Sequence, residues 1–205
     1  MPQIGSPHME AQLKSRLEEK ARSVIQDSNL KNAAVLLPLL NGDGEYRILF
    51  IKRSQRVEDH KGEISFPGGI CEKDDGSFEE TALREAFEEI GISPADVNVL
   101  GLLDDIRTVS TRYRVTPVVG AIPYPYPFAL CADEVEEIIT ISLSHLLDAG
   151  NGGEESVLRD GRSYPGYVYH YRNHRIWGAT ARILKNFLTL WNDLSCEPGT
   201  GSPLS

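Results

Sequence analysis

Apolar and polar positions alternate with different periodicities along this chain. From residue 9 to about residue 25 the apolar positions recur three or four apart, which predicts an amphipathic helix. Continuous apolar runs at 33–40 and 46–51 predict two strands, and the Asn-Gly-Asp-Gly sequence at 41–44 between them predicts a hairpin turn. Because Pro38 cannot donate a main-chain hydrogen bond, we expect the first strand to lie at a sheet edge or to be interrupted there.

The rest of the chain alternates short strand patterns with helical ones. We predict strands at 63–66, 97–106, 114–122, 137–141, 167–171 and 175–177. We predict helices between Ser77 and Gly91, at 142–147 and at 180–194, and a polar, glycine-rich loop at 150–161. Strands mixed with helices before, among and after them indicate an α/β fold built from packed layers.

The length of 205 residues is enough for one domain with a substantial core. We assign that domain to residues 9–194. Residues 1–8 contain Gly-Ser-Pro-His-Met, a sequence typical of a cloning remnant, so Met9 is the expected natural start. Residues 195–205 are rich in Pro, Gly and Ser, and we expect a mobile tail there.

The charge balance limits the partners of the chain. Lys plus Arg number 21 and Asp plus Glu number 30, which gives a formal net charge of −9. Non-specific binding to nucleic acid or to an anionic membrane needs a basic surface, so neither is an expected partner. A small anionic substrate stays compatible if metal ions or local cations receive it. Three widely spaced cysteines indicate a reducing, cytoplasmic compartment, and no apolar run is long enough to span a bilayer.

The helix between Ser77 and Gly91 is the most strongly marked element. Ser77 and Glu80 form a capping-box pattern at its start, and Gly91 suits its C-terminal end. At about 100° per residue, one arc of this helix is apolar and another arc carries three glutamates. The apolar arc consists of Ala82, Leu83, Ala86, Phe87 and Ile90, and the acidic arc of Glu85, Glu88 and Glu89. The apolar arc is therefore expected in a core, with the three carboxylates presented together on another side.

The acidic arc needs compensating positive charge, because glutamates four residues apart on a helix repel each other. Mg²⁺ or Mn²⁺, which prefer oxygen ligands, would supply that charge. Arg84 lies beside the three glutamates and can hold one carboxylate through a bidentate contact. Taken alone, the same pattern also fits a solvated acidic helix face without a metal.

The residues around this helix resemble the Nudix box, in which a glycine loop precedes a helix reading Arg-Glu-apolar-x-Glu-Glu-x-Gly-apolar. The matching residues are Gly69, Arg84, Glu85, Ala86, Glu88, Glu89, Gly91 and Ile92. Asp75 stands where the box usually has a glutamate, and the arginine follows one residue later than usual, so the loop is one residue longer. The resemblance implies a Nudix-type α/β/α sandwich with a mixed sheet between helices.

Residues upstream of the helix resemble the coenzyme A pyrophosphatase branch of this family. Arg53-Ser54 and the sequence His-Lys-Gly-Glu-Ile-Ser-Phe-Pro-Gly-Gly at 60–69 match its signature, and that branch normally carries the longer loop. Glu72 and Lys73 depart from the signature, since they stand where Asp and Pro are common. The resemblance implies metal-dependent hydrolysis of coenzyme A or its thioesters to 3′,5′-ADP and 4′-phosphopantetheine or its acyl derivative. The alternatives are another diphosphate substrate (ADP-ribose, NADH or an oxidised nucleotide) or a non-enzymatic nucleotide-binding domain.

The same resemblance implies a role for each carboxylate of the helix. The implied ligands of Mg²⁺ or Mn²⁺ are Glu85, Glu88, Glu89 and the carbonyl oxygen of Gly68. The implied catalytic residues are Glu88, Glu89 and Arg84, with either glutamate as the base that activates water. A carboxylate of the later loop, Glu134 or Glu136, is the alternative base, unless both lie in a solvated strand entrance.

The predicted substrate-binding residues are Lys52, Arg53, Arg56, His60 and Gly69. Apart from the glycine, they belong to the densest basic cluster of an acidic chain, and coenzyme A carries a diphosphate and a 3′-phosphate. Arg53 is the first choice, because a guanidinium can contact two phosphate oxygens at once. His60 has a structural alternative, namely fixing the loop before Gly62. Tyr124, Tyr126 and Phe128 either stack on the substrate or pack within the protein, and a homodimer is left open.

Overall fold

The computed structural model describes residues 7–57, 60–108, 112–159 and 161–196. Its helices are α1 (Pro7–Glu19), α2 (Phe78–Ile90), α3 (Leu143–Leu147) and α4 (Gly178–Cys196). Its strands are β1 (Lys31–Gly42), β2 (Glu45–Arg53), β3 (Ile64–Ser65), β4 (Gly68–Ile70), β5 (Asn98–Leu102), β6 (Ile106–Arg107), β7 (Tyr113–Pro123), β8 (Val135–Ser142), β9 (Gly152–Arg159), β10 (Arg162–Tyr171) and β11 (His174–Ile176). The predicted cloning remnant and the predicted tail lie outside the described residues, apart from 7–8 in α1 and 195–196 in α4.

A mixed sheet forms the middle layer of the fold. Its strand order is β3-β2-β1-β7-β5, with β4 paired to β1, β6 to β7 and β8 to β2. β1 and β7 run parallel, whereas the other pairs in this sheet are antiparallel. The apolar arc of α2 packs in the core cluster on one side of the sheet, and α1 and α4 contribute to the cluster on the other side. The predicted α/β/α sandwich with a mixed sheet between helices is therefore confirmed.

β1 lies in the interior of the sheet, so the sheet-edge alternative for Pro38 is wrong. One side of β1 pairs with β7 along its length. On the other side the partner changes from β4, which reaches Val35, to β2, which begins at Leu39. Pro38 therefore lies in the stretch between two partners, where no neighbour on that side needs its missing N–H. The alternative of an interrupted strand is also wrong, because β1 runs without a break from Lys31 to Gly42 and only its pairing on one side is interrupted.

The first helix is shorter than its periodicity predicts, ending at Glu19 instead of near residue 25. Two aspartates that precede β6 bind the segment that follows α1. Asp104 accepts hydrogen bonds from the main-chain N–H of Ser23 at 2.8 Å and from Lys20 Nζ at 2.9 Å, and Asp105 accepts from the N–H of Ile25 at 3.0 Å. These distant carboxylates take main-chain donors that a longer helix would have used internally.

The glycine-rich segment predicted as a loop at 150–161 is instead largely a strand. β9 pairs antiparallel with β10, which pairs with β11, in a second sheet of three strands. A Cβ on Gly152 would lie 2.7 Å from Cε1 of Tyr169, so this glycine allows the two strands to approach closely. Within the described residues, no helix is long and apolar enough to cross a membrane.

Candidate active site

The acidic helix has the caps that its sequence predicts. Ser77 Oγ accepts a hydrogen bond from the N–H of Glu80 at 3.1 Å, and the Glu80 carboxylate accepts from the N–H of Gly76 at 2.7 Å. Gly91 has φ +73° and ends the helix in the left-handed conformation. The prediction that Phe87 lies in the core with the rest of the apolar arc is wrong, because its side chain is 56% exposed. Ala82, Ala86 and Ile90 are fully buried, so the arc that the core buries runs along the helix but is narrower than the arc of apolar residues.

Two glycines bring β4 against the helix. A Cβ on Gly69 would lie 2.5 Å from Cδ of Glu85, and a Cβ on Gly68 would lie 2.6 Å from Cα of Val35. Gly68 also has φ +153°, which L side chains rarely adopt. A side chain at Gly68 would push β4 away from the sheet, and one at Gly69 would displace the carboxylate of Glu85. Close packing thus explains why glycine occupies both positions, and both glycines lie beside the glutamates.

Glu89 is the most deeply buried of the three glutamates, at 1% exposure. Its Oε2 accepts a hydrogen bond from the main-chain N–H of Gly68 at 2.9 Å, and its Oε1 lies 3.5 Å from Nη1 of Arg53. Burial raises the pKa of Glu89 to about 8, although the Gly68 N–H and Arg53 oppose the rise; the charges of Glu85 and Glu134 add to it. A carboxylate held in so unfavourable a place is typical of a functional site.

The other two glutamates share one guanidinium nitrogen. Nη1 of Arg84 lies 2.9 Å from Oε1 of Glu85 and 3.2 Å from Oε2 of Glu88. The Glu88 side chain is 53% exposed, whereas that of Glu85 is 16% exposed. Burial raises the pKa of Glu85, while Arg84 opposes that rise. The three carboxylates therefore lie on one flank of α2 and differ in burial: Glu89 is buried, Glu85 is mostly buried and Glu88 is exposed.

Arg84 is held mainly by the loop residue that departs from the usual box. Its Nε lies 3.1 Å from Oδ1 of Asp75 and its Nη2 lies 3.0 Å from Oδ2, a bidentate contact; Nη2 also donates to the carbonyl of Ile70 at 3.2 Å. Asp75 further accepts a hydrogen bond from Thr81 Oγ1 at 2.9 Å. The Arg84 hydrogen bonds hold the pKa of Asp75 far below its ordinary value. The longer loop thus still brings a carboxylate to the arginine.

A hard divalent cation fits this donor set. Three carboxylates and the main-chain oxygens of the glycine segment are the ligands that Mg²⁺ and Mn²⁺ prefer. A cation would also offset the cost of keeping the Glu89 carboxylate out of water. Over the ranges that the structure describes, no three His, Cys, Asp or Glu side chains already converge as a ligand group. Nη1 of Arg84 lies between Glu85 and Glu88, so a bound ion would share these carboxylates with the guanidinium.

Of the predicted substrate-binding cations, the structure brings only Arg53 to the glutamates. Lys52 bonds to Glu136 at 2.5 Å. Arg56 bonds to Asp133 at 2.7 Å. His60 has φ +57°, and its Nδ1 lies 2.9 Å from Glu63, which supports its structural alternative in the turn before Gly62. Contact of these cations with a substrate stays a prediction, as does the role of Gly69.

The later loop supplies a fourth carboxylate that the helix pattern alone does not reveal. The main-chain N–H of Cys131 donates to the carbonyl of Glu89 at 2.9 Å, and the N–H of Ser54 donates to the carbonyl of Glu134 at 2.8 Å. The first bond joins this loop to the end of α2, the second joins it to the residue after Arg53, and the charge of Glu134 raises the pKa of both Glu85 and Glu89. Glu136 bonds to Lys52 instead. Of the two alternative bases, Glu134 therefore lies beside the site.

The aromatic residues of the same loop make internal contacts. The hydroxyl of Tyr126 accepts a hydrogen bond from the N–H of Ser93 at 3.0 Å and donates to Asp96 at 2.8 Å. Its ring lies 5.2 Å from that of Phe128, and both pack against the core on the α2 side. Tyr124 lies under the guanidinium of Arg47 at 5.1 Å. These contacts favour the packing alternative over stacking on a substrate.

An open cavity of about 670 Å³ adjoins the loop that carries Asp75. It is lined in part by Lys31, Ile70, Cys71 and Phe78. Cys71 is a free thiol. Asp75, which holds Arg84, is also among the residues that line the cavity, whereas Glu85, Glu88 and Glu89 are not.

Comparison with known proteins agrees with this geometry. The family model of the NUDIX domain matches residues 30–155. The chain is 36% identical over 157 residues to "Uncharacterized Nudix hydrolase NudL" of Escherichia coli (strain SMS-3-5 / SECEC), which covers 77% of this chain and 81% of that protein. The protein of the same name from Shigella boydii serotype 18 (strain CDC 3083-94 / BS512) is similar to the same degree. The crystal structure of a MutT/nudix family protein from Enterococcus faecalis has a similar fold, with a TM-score of 0.52 and 16% identity over 89% of this chain and 74% of that chain.

Proposed function

The chain belongs to the Nudix hydrolase family, and we propose that it hydrolyses the diphosphate bond of coenzyme A or its thioesters with Mg²⁺ or Mn²⁺. The products would be 3′,5′-ADP and 4′-phosphopantetheine or its acyl derivative. That the protein is a Nudix pyrophosphohydrolase acting on a small nucleotide substrate follows from the family itself. The choice of coenzyme A, the metal and the residue roles below are the proposal.

One observation carries the choice of coenzyme A. The residues that resemble the coenzyme A branch, Arg53-Ser54 and 60–69, do not lie apart from the acidic helix. Its Arg53 and Gly68 both contact the buried carboxylate of Glu89. The part of the sequence that distinguishes this branch is therefore built into the wall of the proposed catalytic site. This location supports a link between the signature and the substrate.

We assign metal binding to Glu85, Glu88 and Glu89 together with the carbonyl oxygen of Gly68. When bound, Mg²⁺ or Mn²⁺ would neutralise phosphate oxygens and increase the acidity of a bound water. Arg84 orients Glu85 and Glu88, because its own position is fixed by the bidentate contact with Asp75. Arg84 therefore contributes to the reaction by positioning carboxylates.

The base that takes the proton from the attacking water must be reachable and ionised. Glu89 meets this requirement least well, because both of its oxygens already face donors and its side chain is 2% exposed. Glu88, at 53% exposure, is open to water, and Glu134 lies on the facing loop. We therefore assign proton transfer to Glu88, with Glu134 as the alternative, and keep Glu89 as a ligand.

Substrate profiling tests the proposal directly. Coenzyme A, an acyl-coenzyme A, ADP-ribose, NADH and an oxidised nucleoside triphosphate are each incubated with the enzyme and Mg²⁺, and the products are separated by chromatography. We expect coenzyme A or its thioester to give the highest kcat/KM, with 3′,5′-ADP among the products. Faster cleavage of another diphosphate would overturn the substrate and keep the enzyme class.

A further inference from the structure

The contact between Arg53 and Glu89 joins two segments that are 36 residues apart in the sequence. Nη1 of Arg53 faces one oxygen of Glu89, and the main-chain N–H of Gly68 faces the other. The two donors come from different strands, β2 and β4. Together they fix the plane of the carboxylate as well as its position.

The main chain of Arg53, the last residue of β2, is bonded to the turn that contains Gly62. Its N–H donates to the carbonyl of Glu63 at 3.0 Å, and its carbonyl accepts from the N–H of Gly62 at 3.0 Å. Gly62 has φ +69°, and a Cβ there would lie 2.6 Å from Nε2 of Gln55. The turn therefore depends on glycine at this position. Its effect is to direct the Arg53 side chain toward α2.

Arg53 differs in exposure from Arg56, which lies three residues later. The Arg56 side chain is 71% exposed and its partner Asp133 is 81% exposed, so that pair extends into solvent. The Arg53 side chain is 24% exposed, and its Nε is buried without a hydrogen-bond partner among the described residues. A guanidinium with one nitrogen on a buried carboxylate and another covered by protein does not present an open fork to a phosphate.

From this geometry we propose that Arg53 is a positioning residue, which orients Glu89 for diphosphate hydrolysis and makes no contact with the substrate. The inference rests on the proposed function for the reaction, and it replaces the phosphate-binding role that the sequence predicts for Arg53. It also explains why the Arg-Ser and His-x-Gly-Glu parts of the signature occur together, since the second part holds the main chain of the first.

The first test needs neither metal nor substrate. Thermal unfolding is measured in EDTA at pH 9, where the Glu89 carboxyl is ionised in the folded protein, for the wild type, Arg53→Gln, Glu89→Gln and the double variant. Arg56→Gln is the control for loss of an arginine in the same segment. We expect Arg53→Gln to lower Tm by about 4 °C in the presence of Glu89 and by about 1 °C or less in the Glu89→Gln background. Equal losses in both backgrounds would overturn the proposal, because the arginine would then not act through Glu89.

The second test separates positioning from substrate contact. Arg53→Lys and Arg53→Gln are assayed on coenzyme A and on 3′-dephospho-coenzyme A with saturating Mg²⁺. We expect kcat to fall about 10-fold or more for both substrates, with KM within about 3-fold of the wild type and with Lys less damaging than Gln. A raised KM with kcat retained, or a loss confined to coenzyme A, would make Arg53 a phosphate contact.

The two tests also distinguish this inference from the proposed substrate. If the wild type cleaves neither form of coenzyme A but cleaves another diphosphate, the proposed substrate fails, and the comparison of kcat with KM is made on that diphosphate. The unfolding test gives its answer in either case.

Discussion

Two arginine–carboxylate pairs brace the acidic helix against the loop and strands before it, and they differ in what they do to the carboxylate. The pair of Arg84 and Asp75 is bidentate, with contacts of 3.0 and 3.1 Å, and it holds the pKa of Asp75 far below its ordinary value. The pair of Arg53 and Glu89 has one contact of 3.5 Å, and the pKa of Glu89 rises to about 8.

The difference follows from the balance of burial and hydrogen bonding at each carboxylate. Asp75 receives donors from Arg84, Thr81 and the main chain of Glu72, which outweigh the cost of removing it from water. At Glu89 the cost of burial is the largest influence, and the donors only reduce it. The first pair therefore stabilises the fold, whereas the second keeps a carboxylate in a place that favours a bound cation.

The largest expected effect comes from removing the carboxylate of the Arg53–Glu89 pair. Glu89→Gln removes one negative charge from the proposed metal ligands, so kcat should fall about 10³-fold. Because a buried neutral amide needs no counter-charge, Tm in EDTA should stay the same or rise. Initial rates with Mg²⁺ and thermal unfolding measure the two quantities. Glu18→Gln on the exposed side of α1 is the control for an acid-to-amide change and should retain full activity.

A rate for Glu89→Gln equal to that of Glu18→Gln would contradict the enzymatic role of the buried carboxylate. It would show that the reaction does not need the Glu89 carboxylate. A strong loss of Tm in Glu89→Gln would instead place Glu89 with the stabilising pairs.

The next largest effect is expected from weakening the pair of Arg84 and Asp75. Asp75→Asn weakens the bidentate contact and leaves Arg84 with less compensation, so the free energy of unfolding should fall by about 2–3 kcal/mol. Urea denaturation measures this loss, and Asp74→Asn, at the exposed neighbouring position, is the matched control. We expect kcat to fall as well, because Arg84 positions Glu85 and Glu88. An Asp75→Asn protein as stable as Asp74→Asn would contradict the stabilising role.

The sequence predicts the acidic helix better than it predicts the contact between Arg53 and Glu89. The helix caps and the common flank of Glu85, Glu88 and Glu89 depend on residues a few positions apart, so periodicity and capping rules find them. The contact of Arg53 with Glu89 depends on how β2 and α2 meet in space, which no local pattern specifies. The charge of Arg53 suggested a phosphate contact only because its partner was unknown.

The same limit explains the errors in the fold. Phe87 shares an arc with Ala82 and Ala86, but periodicity does not show how much of that arc the sheet covers. The glycines at the start of β9 favour a loop by composition, yet Gly152 lets the strand approach Tyr169. In each case the missing information is the shape of a neighbouring element.

A third prediction uses the opposite pKa shifts of the two carboxylates. The pKa of Glu89 is raised on folding, so the folded protein binds its proton more tightly, and the stability from this group is lost as pH rises from about 4.5 to about 8. The pKa of Asp75 is lowered, so its stabilisation is present above the unfolded pKa and is lost as pH falls through the folded value. Tm measured in EDTA from pH 5 to 8.5 should therefore decline more steeply in the wild type than in Glu89→Gln. Parallel curves would show that Glu89 titrates as it does in the unfolded chain.

The smallest expected effect concerns the pair of Arg56 and Asp133, whose contact of 2.7 Å is shorter than those of the two braced pairs. If distance decided the strength of such pairs, this one would matter most. Both partners are more than 70% exposed, however, so water screens their attraction and two long side chains lose freedom in forming it. Asp133→Asn should therefore change the free energy of unfolding by less than about 0.5 kcal/mol, measured in urea beside Asp75→Asn. A loss as large as that of Asp75→Asn would show that contact distance, and not burial, separates the pairs of this protein.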